Sequence, residues 1–347
     1  MNNTINRIWR LKKRPSGMVQ RENFEWTEEP VAGIEEGQIL VRNLYLSFDP
    51  TQRGWMAGPS YLPAIELGEV VRSIAVGQVV ESRNPYFKPG DLVSGLLGWQ
   101  DYCLLNKGSE SALTKVSTKF PIPLSMSVLG ITGLTAYFGM LVVGEIKPGD
   151  RVVVSGAAGA TGSIAAQIAK LKGGRVVGIA GGSQKCGWLR DEIELDGIVD
   201  YKSENVGPRI NELLPEGVTL FFDNVGGKTL DTVLAHLSLN ARVVLCGAIS
   251  EYNSAQTQHG LTNYMNLIIQ RAKMQGFIIL DYANRFQEAS DELLDWVKEG
   301  KIKYQIDLAE GLENAPETLQ RLFSGLNRGK QLLKIAEAPL DGETSTI

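Results

Sequence analysis

Residues 151–185 read RVVVSGAAGATGSIAAQIAKLKGGRVVGIAGGSQK. The apolar run Val152, Val153, Val154 leads into a turn of small residues. Ile164, Ala165, Ile168, Ala169 and Leu171 then recur at helical spacing before a second apolar run from Val176 to Ile179. The order is strand, glycine turn, helix, strand. Gly156, Gly159 and Gly162 stand three residues apart at the first turn, which suits a pyrophosphate docked on a helix N-terminus. Gly159 lets the backbone approach the phosphates, and Gly162 lets the helix pack closely on its strand. Ala157 and Ala158 occupy the place of the first glycines of a strict GxGxxG, so a tight turn without a ligand stays open on this stretch alone.

The end of the second strand selects the cofactor. An NAD site places Asp or Glu about 20 residues after the turn to bond the adenosine ribose 2′-hydroxyl. Here the chain reads Ala180, Gly181, Gly182, Ser183, Gln184, Lys185, without a carboxylate to repel a 2′-phosphate. Ser183 and Lys185 supply a hydroxyl and a point charge to bind one. The expected cofactor is therefore NADP(H) rather than NAD, with a solvated surface lysine as the plainer reading of Lys185.

The chain has 347 residues and a net charge of −4, enough length for two domains. The acidic balance argues against a nucleic-acid or anionic-membrane partner, because no basic block stands out beyond Arg7 to Arg14. Those early basic residues alternate with Ile8, Trp9 and Leu11, as in a half-exposed first strand. No signal-peptide core or membrane-length apolar run is present, so a soluble, cytoplasmic protein is expected. The three cysteines, Cys103, Cys186 and Cys246, are too scattered for a metal knuckle. With His236 in a helical pattern and His259 in a loop, no zinc site is expected.

Residues 1 to about 126 are β-rich, with strands expected at 38–46, 67–76, 78–81, 91–97 and 102–105 between Pro and Gly turns. Helical spacing from Gly130 to Val142 opens an alternating region. Further strands are expected at 197–200, 218–224, 242–248 and 273–280, with helices at 205–214, 228–237 and 261–271 between them. Six strands with crossovers make a doubly wound α/β sheet. A helix over 285–300 would close it, 301–336 would supply a strand, a helix and a strand, and the tail from Glu337 is polar and expected to fray. Ligands in such sheets sit at the carboxyl ends of the strands. Those ends read DNVGG at 223–227, CGAISEYN at 246–253 and GFII at 276–279, small residues and an amide suited to a planar ring and its carboxamide.

Nine segments together carry a resemblance: LSFDP at 46–50, RGWM at 53–56, GWQDY at 98–102, GLTAYFG at 133–139, AAGATG at 157–162, FDNVGG at 222–227, CGAISEYN at 246–253, QGFI at 275–278 and GLENAP at 311–316. Over nearly its whole length the chain resembles the zinc-independent medium-chain dehydrogenases/reductases, and among them the NADPH-dependent alkenal/one double-bond reductases. The resemblance implies a GroES-like β-rich catalytic domain, residues 1–126 and 301–347, around a doubly wound Rossmann NADP-binding domain, residues 127–300. It implies that Gly159, Ala160, Thr161 and Gly162 hold the pyrophosphate, and that Lys185 and Tyr201, beside Ser183, take the 2′-phosphate side. Asn224 and the segment Cys246, Gly247, Ala248, Ile249, Ser250, Tyr252 would line ribose and nicotinamide. Phe277, Ile278 and Ile279 would meet the carboxamide, and Asn327 would reach back to the cofactor. Homodimers joined through the last Rossmann strands, here Lys273 to Leu280, are expected. Many members carry tyrosine and arginine in the substrate pocket where this chain has Thr51 and Trp55.

The implied reaction is hydride transfer to the β-carbon of an α,β-unsaturated ketone or aldehyde, followed by protonation of the α-carbon. Negative charge develops on the carbonyl oxygen and calls for a donor. Tyr252 is the candidate catalytic residue; the cofactor's ribose hydroxyl with ordered water is the alternative. Trp55, Tyr61 and Trp99 are candidates for apolar walls, although aromatic residues are more often core. A quinone reductase of the same fold and a non-catalytic NADPH-binding protein are the rival readings.

Overall fold

The computed structural model describes residues 4–254 and 260–337. Contacts divide the chain into two compact units: residues 4–126, 306–326 and 331–337 form one, and residues 127–305 with 327–330 form the other. In chain order the first unit begins with β1 (Ile5–Leu11) and β2 (Phe24–Pro30), then β3 (Ile39–Ser47), the short helix α1 (Thr51–Ala57), β4 (Ala75–Ser82), β5 (Leu92–Gly95), β6 (Tyr102–Leu105), β7 (Thr114–Lys115) and α2 (Ile122–Met126). β1 and β2 pair antiparallel with Trp9 opposite Trp26. The interleaving of basic and apolar residues in β1 follows its burial, since Ile8, Trp9 and Leu11 are buried while Arg7 before them and Arg10 between them are not.

The second unit runs through α3 (Ile131–Phe138), a π-helical turn at Gly139–Val143, β8 (Arg151–Ser155), α4 (Ala160–Leu171), β9 (Arg175–Ala180), α5 (Ser183–Asp191), β10 (Gly197–Asp200), α6 (Val206–Leu213), β11 (Val218–Asp223), α7 (Gly227–Leu234), β12 (Leu237–Leu245), α8 (Met265–Ile269), β13 (Lys273–Gly276) and α9 (Phe286–Lys298). Its six strands stand in the order β10-β9-β8-β11-β12-β13, all parallel. This is a doubly wound sheet with the strand order reversing beside β8. Val152, Val153 and Val154 in β8 and Leu220, Phe221 and Phe222 in β11 are completely buried, as central parallel strands covered on both faces require.

The chain then returns through β14 (Ile306–Glu310), α10 (Ala315–Phe323) and β15 (Lys330–Lys334). The sheet of the first unit has the order β14-β15-β3-β4-β5-β7, with β6 also on β3. β15 lies antiparallel to β3, Leu333 opposite Leu46, so the first unit is built from both ends of the chain. Its core gathers Trp9, Phe24, Phe48, Trp99, Leu319 and Leu333, and the Trp9 indole N–H donates to the Leu312 carbonyl at 2.8 Å.

Several boundaries differ from the sequence expectation. Residues 67–74 are not a strand: Gly68 has φ +86°, and the stretch instead bonds to β1 through Leu11 N–H to Glu69 O and Val71 N–H to Trp9 O. The strand expected at 242–248 ends at Leu245: the Cys246 amide makes the last ladder bond to Asp223 O, and the Gly247 amide turns back to that same oxygen instead of advancing along β11. The helix expected at 261–271 shrinks to Met265–Ile269, since the Asp231 carboxylate takes the amides of Thr262 and Asn263. β13 stops at Gly276, where β12 gives it no further partner, and a 3₁₀ stretch runs from Ile279 to Arg285. His236 sits in the turn after α7 rather than in a helix; its imidazole is half-buried and burial lowers its pKa. His259 lies outside the described residues. No helix among the described residues is long and apolar enough to cross a membrane.

Candidate functional site

β8 ends at Ser155, and Gly156 turns the chain with φ +58° into Gly159, the N-cap of α4. A Cβ at Gly162 would stand 2.3 Å from the Gly156 carbonyl oxygen, so only glycine permits this approach of helix to turn. No described side chain caps the first turn of α4, which leaves its leading amides directed at the space above the sheet, the arrangement that binds a pyrophosphate. Gly159, Ala160, Thr161 and Gly162 lie together there. The return segment reaches the same turn: Gly329 N–H donates to Ala158 O at 3.2 Å, with Gly329 opposite Gly159 in a parallel bridge. Asn327, which sits in this segment, donates its side-chain amide to Gly329 O at 3.0 Å.

At the end of β9 the chain enters α5, a stretch for which no element is expected from the sequence. Gly182, with φ +92°, turns the chain so that Ser183 opens α5, again with no described side-chain cap. Its amide donates to Asp200 Oδ1 at 2.9 Å, as does that of Lys202 at 3.0 Å. These backbone bonds hold the Asp200 carboxyl below the usual carboxylate range. The Asp200 carboxylate beside this helix start is thus engaged by backbone amides. Tyr201 lies half out in solvent at 52% exposure, its ring so close over Gly181 that a Cβ there would come within 2.6 Å of it. Ser183 and Lys185 lie in the first turn of α5, and Tyr201 comes from the end of β10 to stand over Gly181 just before it.

At the carboxyl ends of β8, β11 and β12 a buried network sets the next group of residues. Ser155 Oγ donates to Asp223 Oδ1 at 2.6 Å and accepts from the Asn224 amide at 2.8 Å, while Asn224 Nδ2 donates to Ser155 O at 2.7 Å. Burial pushes the Asp223 carboxyl up, although Ser155 and the amides of Val225 and Gly226 donate to it. Ser155, which holds Asn224, is not singled out by the sequence, where its only signal is a polar residue ending an apolar strand. The Cys246 thiol is pushed up to about 12 by burial and by Asp223 beside it, which favours its neutral form. The segment folds back on itself: Ile249 N–H bonds Asn224 O, and Ser250 Oγ bonds Val225 O at 2.7 Å. Tyr252 Oη accepts from the Ala248 amide at 3.2 Å, next to Gly247. Phe277 lodges against Gly139, where a Cβ would come within 2.7 Å of its ring, and it fixes the path of Ile278 and Ile279.

In the first unit, Thr51 Oγ1 and Tyr61 Oη share a hydrogen bond of 2.6 Å, and the Tyr61 ring meets the edge of Trp55 at 6.3 Å. Trp55 is only 5% exposed and sits in the core beside Met56 and Ile65, with Arg72 over its ring. Tyr61, by contrast, is 44% exposed. Trp99 is completely buried between Phe24 and Phe48, a core residue and no pocket wall.

A cleft of about 400 Å³ lined by Gln167, Lys170, Glu192 and Lys303 lies at the opposite, amino edge of the parallel sheet. Two of its lysines are bonded to backbone carbonyls, Lys170 to Ile193 and Lys303 to Glu192, and Lys301 pairs with Glu299, which makes it a satisfied surface groove. Among the described residues no three His, Cys, Asp or Glu stand close enough together to hold a metal ion.

Residues 7–116 match a family model described as the N-terminal domain of oxidoreductases, and residues 160–297 match one described as zinc-binding dehydrogenase. An NADPH-dependent curcumin reductase of Escherichia coli is 41% identical over 95% of this chain and 97% of its own. A 2-alkenal reductase (NADP(+)-dependent) of Nicotiana tabacum is 39% identical over 87% of this chain and 89% of its own. The crystal structure of CurA from Vibrio vulnificus in complex with NADPH superimposes with a TM-score of 0.90 at 37% identity, covering 95% of this chain and 99% of that one.

Proposed function

This chain belongs to the medium-chain dehydrogenase/reductase family as an NADP-dependent oxidoreductase, and from that premise we propose that it reduces the C=C bond of α,β-unsaturated ketones and aldehydes. When bound, the dinucleotide supplies the hydride that goes to the substrate's β-carbon. The protein's share is to hold the dinucleotide, polarise the carbonyl and deliver a proton to the α-carbon.

The observation that carries the reading is the placement of Tyr252. Its hydroxyl oxygen is fixed by the Ala248 amide at the carboxyl end of β12, next to Asn224, whose own amide is locked by Ser155. A fixed phenol of this kind suits donation to an oxygen on which negative charge develops. Tyr252 is the donor in this mechanism. Gly159 to Gly162 bind the pyrophosphate, Ser183, Lys185 and Tyr201 the 2′-phosphate, and Asn224, Cys246 to Ser250 and Asn327 the ribose and nicotinamide. Phe277 to Ile279 meet the carboxamide. Thr51, Tyr61 and the edge of Trp55 give the substrate wall, whose aromatic content and uncharged position 55 favour an apolar enone.

The test is NADPH oxidation followed with a panel of trans-2-alkenals, aryl enones and quinones. Saturated ketone or aldehyde product from the enones is expected. Turnover of menadione-like quinones with none on enones, or NADPH binding without turnover on either, would overturn the reading.

A further inference from the structure

Arg328 is the side chain that the cofactor assignments above leave without a role. It projects into solvent from the return segment Asn327–Lys330, one residue before the glycine that bridges to Gly159. Its guanidinium does not stay at the pyrophosphate turn. It reaches along the sheet edge to the first turn of α5, where Nη2 donates to Gln184 Oε1, between Ser183 and Lys185 in sequence. Two independent contacts thus fix it: the backbone bond of Gly329 to Ala158 sets its base at the first glycine turn, and the Gln184 bond sets its tip at the second helix start. An adenosine 2′-phosphate placed at Ser183, Lys185 and Tyr201 would lie beside that tip.

We propose that Arg328 is a second cationic ligand of the 2′-phosphate and a determinant of NADPH over NADH. The inference rests on the reading of the α5 start as the 2′-phosphate pocket. Gln184 presents a neutral amide oxygen to the guanidinium. A phosphate carrying close to two negative charges offers charge-assisted and bidentate bonds, which are the stronger kind and the kind arginine is built for. Lysine at 185 contributes a point charge, whereas the planar fork of Arg328 adds direction. Because the arginine comes from the return segment, occupancy of this corner would also tie residues 327–330 to α5.

Calorimetry with 2′,5′-ADP and 5′-AMP isolates the 2′-phosphate without turnover. Wild-type protein is expected to prefer 2′,5′-ADP. Arg328→Ala should weaken 2′,5′-ADP roughly 10- to 100-fold, the size of a charged hydrogen bond, and change 5′-AMP by less than about twofold. Arg328→Lys should recover part of the loss, and raising salt should narrow the gap between wild type and Arg328→Ala. Equal weakening of both ligands, or no change in either, would overturn the role of Arg328 while leaving the pocket assignment intact. A wild-type protein that binds both ligands alike would instead overturn the pocket itself, and neither result bears on which double bond is reduced.

Discussion

Single residues decide the chemistry here through what their neighbours do to them. Tyr252 is positioned by a backbone amide, so replacing it tests donation with little disturbance to binding. Tyr252→Phe is expected to lower kcat on a good enone by about 10² while the NADPH dissociation constant changes only a few-fold. Stopped-flow turnover alongside a binding titration checks this, and full turnover by the variant would hand the proton to the ribose hydroxyl and water. Gly181 offers a second test. A Cβ there would collide with the Tyr201 ring at 2.6 Å, and that ring is the movable end of an exposed side chain. Gly181→Ala should therefore swing Tyr201 away and weaken NADPH about 3- to 10-fold, equivalent to roughly 1 kcal/mol, with NADH affinity and melting temperature nearly unchanged. A drop in melting temperature with equal loss of both cofactors would mean that the backbone had moved instead.

At the level of elements, the parallel sheet is locked at its amino edge by a buried carboxylate. Asp150, just before β8, accepts from Thr219 Oγ1 of β11 at 2.8 Å, from the Lys147 amide at 2.7 Å and from the Arg242 guanidinium of β12. Burial pushes the Asp150 carboxyl up, but the bonds from Arg242, Thr219 and Lys147 outweigh it and hold the group below its ordinary value of 3.8. A carboxyl depressed in the folded state adds stability that is fully present above 3.8 and is lost as pH falls through the lower folded value. Asp150→Ala leaves the Arg242 charge poorly compensated and should cost about 3 kcal/mol in urea unfolding at pH 7. The difference from wild type should shrink as pH drops below 3.8. A pH-independent difference would assign the loss to packing. The start of α5 is the element that sequence periodicity did not reveal. Ser183 to Asp191 have few apolar positions in register, only Cys186 and Leu189 being buried, and the helix forms because Gly182 and Asp200 fix its entry.

For the whole molecule, the parallel sheet ends at β13, paired on one side only among the described residues. Tyr264, Met265, Ile268, Ile269 and Leu280 beside it are exposed at 47% to 66%. An uncovered edge with apolar residues around it suits association with a second copy, and we propose a homodimer joined there. Light scattering should give twice the 37.9 kDa chain mass, and Ile268→Glu with Met265→Glu should give the monomer. A monomeric wild type would refute the dimer.

The glycine turn at 156–162, the six-strand alternation and the absence of a carboxylate after β9 were legible in the sequence, because apolar period and glycine position report directly on strand, helix and turn. They carried the α/β class and the NADP preference. Element ends and partners were not legible in the same way. The early exit at Cys246, the short α8 and the burial of Trp55 and Trp99 follow from hydrogen bonds and packing between residues far apart in the chain. The reach of Arg328 to Gln184, separated by 144 positions, has the same origin. A local pattern records what a residue prefers, and only the folded chain determines which distant group it meets.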